Sequence, residues 1–279
     1  MNISRYSVIL MLTTIVFFSA CTKMEDRPLE LITEEYLWDS KDSLGTNASY
    51  FLNDIYADLP RGFNRIGSNF LDAATDDAVP SEDNATIATF TNGGYSQLSN
   101  ADNSWATNYA SIRKCNLFVQ NFPKVSLKQD LLIQGQYWKA ENRFLRAMFY
   151  YELIKRYGGV PLLGDRVLTL SDDLKLPRSS FDASVDYVVS ELDAIKNDLR
   201  PDPVSASDYG RITRAVALTL KAKILLLAAS QLNNPANDLA RWSRAKDAAG
   251  DVIRLNLYRL EISFSNVFFT RKNNEVILA

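Results

Sequence analysis

The sequence predicts an all-α fold of the tetratricopeptide-like, helical-repeat kind with long irregular loops. Three observations lead there. Apolar residues recur at three- and four-residue steps through several long segments. Glycine or proline closes most of these segments. Alanine is enriched where neighbouring helices must approach closely, as in helical-repeat pairs. With 47% hydrophobic and 23% charged residues over 279 positions, the chain has the composition of a protein that packs a core.

In chain order, residues 47–59 form a short amphipathic stretch, with Phe51, Ile55 and Leu59 four apart. Residues 60–104 lose the period and are punctuated by Gly62, Gly67, Pro80, Gly93 and Gly94. An aperiodic segment of that length inside a domain often carries binding loops. The helical pattern resumes at 105–122 through Trp105, Tyr109, Ile112, Val119 and Phe122, with Ser104 as the expected N-cap. A second long helix, 131–157, carries Lys155 and Arg156 in its last turn and stops at Gly158-Gly159, after which Pro161 forbids continuation. A third, 181–199, shows Val185, Val188, Leu192, Ile195 and Leu199 before Pro201 and Pro203. The fourth, 213–232, is apolar on most faces and is expected to be central, and the fifth runs over 238–254. Pairing 105–122 with 131–157, and 181–199 with 213–232, leaves the fifth helix without a partner. The last residues, 275–279, read as a strand.

Composition excludes several chemistries. No histidine is present, which removes Ser-His-Asp and Cys-His nucleophile systems and any His-ligated zinc. Only Cys21 and Cys115 are available, too few for a cysteine-rich metal site or a disulfide framework. Cys115 shares an apolar helix face with Ile112 and Val119, as buried filler does. A net charge of −2 leaves no basic footprint for nucleic acid.

The N-terminus reads as an address. Arg5 precedes an apolar run over 8–20, and 13 residues are too few to span a bilayer, which takes roughly 20. The run ends Ser19-Ala20-Cys21, small residues directly before a cysteine. That arrangement resembles the bacterial lipobox, in which the thiol accepts diacylglycerol and the cysteine becomes the new N-terminus. The expected organisation is a lipoprotein signal peptide over 1–20, a polar tether over 21–46 and a helical domain over 47–279. Glu25 and Asp26, just after the cysteine, resemble a surface-export signal of Bacteroidetes lipoproteins.

One stretch is more specific than the rest: Glu141-Asn142-Arg143-Phe144-Leu145-Arg146-Ala147, leading through Tyr150 to Gly158-Gly159-Val160-Pro161. It resembles the hallmark of SusD/RagB-like proteins, the nutrient-binding outer-membrane lipoproteins of Bacteroidetes. Trp105 through Asn116, Gly210-Arg211-Ile212-Thr213, and Trp242 through Tyr258 resemble three further family blocks in the same order. The resemblance implies a surface-exposed, non-enzymatic protein that captures an oligosaccharide beside a SusC-like TonB-dependent transporter, without cofactor or metal. It also implies a longer chain, so an incomplete C-terminal end is expected. Trp105 and Asn108, one turn apart at a helix start, become the expected sugar contacts, with Tyr95 in a Gly-Gly-Tyr turn as a third. Glu141, Arg143, Arg146, Gly158, Gly159, Pro161, Gly210 and Arg211 become structural signature positions, since arginine forks can lock adjacent helices.

Two other readings stay open at this point. One is a helical scaffold that docks the transporter without binding sugar. The other is a glycoside hydrolase using carboxylates among Asp72, Asp76, Asp77, Glu82 and Asp83, which would need two of them on opposite sides of a scissile bond.

Overall fold

A computed structural model describes residues 34–60 and 62–278. The signal peptide, Cys21 and the first half of the tether lie outside the described residues. A short helix, α1 (Glu34–Leu37), precedes the compact unit that begins at Trp38. Within that unit run α2 (Thr46–Ala57), α3 (Trp105–Asn121), α4 (Leu132–Tyr157), α5 (Phe181–Ile195), α6 (Arg214–Ala229), α7 (Leu239–Arg254) and α8 (Phe264–Phe269). Among the described residues there is no strand, so 275–278 do not form the one expected there. Ile277 instead lies against α6 and α7.

The helix at the centre is α4 rather than α6. It packs against α2, α3, α5 and α6, and fifteen of its 26 residues are buried, including Trp138, Leu145, Phe149, Tyr150 and Leu153. Helix α7 does have a partner, because α6 and α7 form the most extensive helix pair in the unit. The fourth helix is thus shared between α5 on one side and α7 on the other, which a strictly pairwise reading of the sequence misses. Residues 38–46, read as the end of the tether, belong to the packed unit. The Trp38 ring is 6% exposed and meets Phe51 and Phe118 edge-on, at 5.0 and 5.8 Å between centroids.

The aperiodic segment 60–104 is ordered around its own small core of Ile66, Ala73, Ala85 and Ile87. Two 3₁₀ turns, Leu71–Ala74 and Thr86–Phe90, supply these residues. That core is too small to impose a period, which explains why the sequence shows none.

The exit from α4 is fixed by two glycines with different reasons. Gly158 has φ +72° and ψ −133°, a region that side-chain-bearing residues avoid. At Gly159 a Cβ would stand 2.0 Å from the Ser179 carbonyl oxygen, so the backbones touch where a side chain would go. Arg178 donates to the Gly159 carbonyl at 2.6 Å, and the Ser179 amide donates to the Val160 carbonyl at 3.1 Å. The Gly159→Ala variant is expected to lose about 1–3 kcal/mol of stability, because the entry to α5 must move to admit one methyl group. Gly62→Ala, with open space around it, is expected to change stability negligibly. Urea unfolding of the two variants side by side checks this.

Candidate functional site

Helix α3 carries Trp105, Tyr109 and Arg113 four apart, hence on one face. Its start is not capped as the sequence suggests: the Ser104 hydroxyl makes no cap hydrogen bond. The Trp105 amide donates instead to Asn103 Oδ1 at 3.1 Å. The Tyr157 hydroxyl completes the cap, accepting from the Ser104 amide at 3.0 Å and donating to the same Asn103 oxygen at 2.9 Å. The last residue of α4 therefore holds the first turn of α3.

Tyr157 also packs its ring edge-on against Trp105, 5.1 Å between centroids, while Tyr109 tilts against the other side at 5.0 Å. The half-buried Trp105 and Tyr109, with Arg113, form one wall of a hollow of about 490 Å³. The opposite wall is the 161–176 loop, through Pro161, Leu163, Arg166, Leu168, Leu174 and Leu176.

That loop is held by a network around Arg146, whose side chain is only 2% exposed. Its Nη1 donates to Asn116 Oδ1 at 2.8 Å, the Gly164 carbonyl at 3.1 Å and the Asp165 carboxylate. Its Nη2 donates to Glu191 Oε2 at 2.8 Å, and Arg143 adds a two-pronged contact to the same carboxylate at 2.9 and 3.2 Å. Further bonds fasten the loop directly. The Tyr109 hydroxyl donates to the Pro161 carbonyl at 2.8 Å, the Leu163 amide to the Tyr150 hydroxyl at 2.9 Å, and Asn116 Nδ2 to the Arg166 carbonyl at 2.8 Å. Arg113 Nη1 donates to the Leu168 carbonyl. Burial alone would raise the Glu191 carboxyl, but the hydrogen bonds and charges of Arg143 and Arg146 outweigh it and hold it below its ordinary value.

A second hub lies on the other side of α4. Glu141 is fully buried and accepts from Arg200 Nε at 2.9 Å, the Tyr56 hydroxyl at 2.9 Å and Arg211 Nη1 at 3.4 Å. The Tyr56 oxygen also accepts from the Ile212 amide at 3.1 Å, so α2, α4 and the segment before α6 meet there. Gly210, at φ +91°, turns the chain just before Arg211. Burial raises the Glu141 carboxyl against the pull of both arginines, and it raises the Tyr56 hydroxyl as well.

The remaining expected residues fall in different places. Asn108 is 6% exposed and its Nδ2 donates back to the Ser104 carbonyl at 2.8 Å, so it supports the helix start and does not line the hollow. Tyr95 is exposed and stacks on Phe90 at 5.0 Å, lining a separate hollow of about 360 Å³. Asp102 sits in that second hollow, bound by Arg65 Nε at 3.1 Å and Arg156 Nε at 3.0 Å. Burial pushes the Asp102 carboxyl up, but the two guanidiniums bring it below its ordinary value. The structure therefore does not bring Trp105 and Tyr95 into one pocket; it gives each its own, next to Tyr157 and Arg156 respectively. Asp72, Asp76, Asp77, Glu82 and Asp83 are all exposed and line neither hollow. Cys115 is fully buried, and burial pushes its thiol up. Among the described residues no cluster of three or more His, Cys, Asp or Glu could hold a metal ion, and no helix is long and apolar enough to cross a membrane.

Helices stacked in tetratricopeptide-like fashion, with half-open aromatic hollows at the loop-rich end of α3 and α4, define a helical-repeat protein with features of a ligand-binding surface. The comparisons are more specific. A family model described as SusD-like, "starch-binding associating with outer membrane", matches residues 42–226, and the chain belongs to this family. A curated relative, SusD-like protein P38 from Formosa agariphila, is 30% identical over 120 residues, which is 43% of this chain and 22% of that protein. The fold is similar to that of a SusD-like protein from Bacteroides fragilis, with TM-score 0.71 and 25% identity over 88% of this chain and 45% of that one. It is also similar to a laminarin-binding SusD-like protein, with TM-score 0.65 and 22% identity over 84% of this chain and 51% of that one. The chain thus spans about half the length, or less, of these relatives.

The Arg146→Ala variant is expected to lose roughly 3 kcal/mol, because buried Asn116 and the Gly164 carbonyl lose their donor and Glu191 keeps only Arg143. A carboxyl held below its unfolded-state value adds stability at neutral pH. That contribution fades as the pH falls through the ordinary glutamate value of 4.5 towards the lower folded-state value. Glu191→Gln is therefore expected to flatten the loss of stability between about pH 5 and pH 3. Urea titrations across that range read both variants.

Proposed function

We propose that this protein binds glycan at the cell surface, as a lipid-anchored outer-membrane protein that delivers oligosaccharide to a SusC-like TonB-dependent transporter. The observation that carries the proposal is the aromatic platform of Trp105 and Tyr109, braced by Tyr157 and facing a loop that Arg146 holds in place. Pyranose rings present apolar C–H faces that lie on aromatic rings, while their hydroxyls take hydrogen bonds from a polar rim. A rigid platform loses little entropy on binding. Membership in the SusD-like family supports the reading, as does the fold shared with a laminarin-binding relative. The exposed positions of Asp72, Asp76, Asp77, Glu82 and Asp83 give no support to a glycosidase pair, so the proposed role is capture without cleavage.

The expected effect of Trp105→Ala is a loss of oligosaccharide affinity of about tenfold or more, with helical content unchanged. Titration calorimetry of the detergent-solubilised chain with starch and laminarin oligosaccharides, followed by circular dichroism, measures it. Binding of no glycan of any kind would favour the scaffold role instead. Anchoring through Cys21 has its own test. Radiolabelled palmitate is expected to enter the wild-type chain and to be absent from Cys21→Ser, and equal labelling of the two would refute the anchor.

A further inference from the structure

The polar rim of the Trp105 hollow carries charge of one sign. Arg113 and Arg166 line it, and no carboxylate does. Most buried or half-buried arginines of the unit are neutralised, as Arg65 and Arg156 are by Asp102, Arg143 and Arg146 by Glu191, and Arg200 by Glu141. Among the described residues neither Arg113 nor Arg166 forms an ion pair. Each instead spends one N–H on a backbone carbonyl of the 161–176 loop, Arg113 from α3 on Leu168 and Arg166 Nε on Leu163 of its own loop at 3.4 Å. These bonds aim the guanidiniums without cancelling their charge. Of the acidic groups on the same loop, Asp172 feels the charge of Arg166 without an ion-pair contact. Asp165 is held by Arg146, and Asp172 accepts from the Thr169 amide at 2.6 Å and its hydroxyl at 2.7 Å. A third arginine, Arg178, adds positive potential at Tyr109 from behind the wall, its own N–H groups bound to the Tyr157 and Gly159 carbonyls.

We infer that the Trp105 hollow is built for an acidic oligosaccharide, one whose sugar rings lie on Trp105 and Tyr109 while a carboxylate or sulfate ester meets Arg113 and Arg166. A neutral glycan asks only for hydrogen bonds. It would leave the mutual repulsion of two exposed guanidiniums lining one hollow unrelieved by the ligand. An anionic group removes that repulsion and takes charge-assisted hydrogen bonds, which are roughly twice as strong as neutral ones. The chemistry is shared by uronates and sulfated sugars. A uronate offers a planar oxygen pair that matches one fork, and a sulfate ester offers three oxygens that can reach both.

The inference rests on the glycan-binding reading above, and the experiment separates the two. Calorimetry on the full chain uses four probes of matched length: oligogalacturonate, sulfated galactan, laminarin and starch oligosaccharides. At least one acidic probe is expected to bind about tenfold tighter than either neutral probe and to weaken as sodium chloride rises. Arg166→Gln, at an exposed position with no ion pair to lose, is expected to remove that preference, so that acidic probes bind no more tightly than neutral ones. The relative strength of the uronate and sulfate arms identifies which anion the rim accepts. Neutral probes binding as tightly as acidic ones, or an acidic preference that survives Arg166→Gln, would overturn the inference and leave glycan binding standing. Failure of all four probes would overturn both.

Discussion

The structure depends on one buried cation. Arg146 is sealed in the interior and reaches α3 through Asn116, α5 through Glu191, and the loop after α4 through Gly164 and Asp165. Placing a guanidinium there costs several kcal/mol of lost hydration, and the return is four contacts through its two terminal nitrogens, Nε staying unpartnered, rather than large net stability. What it achieves is uniqueness of arrangement. Five directional donors in one plane admit few packings of two helices and a loop, whereas an apolar side chain would admit many.

That constraint reaches the candidate site through covalent continuity. The loop that Arg146 pins is the same segment that forms the outer wall of the Trp105 hollow, and it leaves α4 at Gly158-Gly159. The signature residues Glu141, Arg143 and Arg146 therefore need touch no ligand to matter for one. Arg143 and Arg146 hold the loop that forms one wall through Glu191, Gly164 and Asp165, while Glu141 ties α2 to the segment before α6. Glu141 does for α2 and the approach to α6 what Arg146 does for α5 and the loop, with the charges reversed.

The long helices were legible because their information is local. A 3.6-residue period and a stop signal can be read within one segment, and 131–157 came out as Leu132–Tyr157. The reading of 181–199 overran the observed end at Ile195, because Leu199 remains buried after the chain has left the helix. The site was legible only where it lies on a helix. Trp105, Tyr109 and Arg113 share one face of α3 by their four-residue spacing, a pattern present in the sequence itself. The partners of Arg146 lie 19, 30 and 45 positions away, at separations that carry no periodic trace. Arg166 and Asp102 arrive on aperiodic loops, whose course is set by tertiary hydrogen bonds. Asn108 read well as a ligand contact by spacing, yet three residues rather than four from Trp105 turns it inward.

The end of α4 sends two consecutive side chains in different directions, Arg156 towards the Tyr95 hollow and Tyr157 against Trp105. One helix terminus thus serves both hollows, so a displacement of the last turn of α4 would be felt at each of them at once.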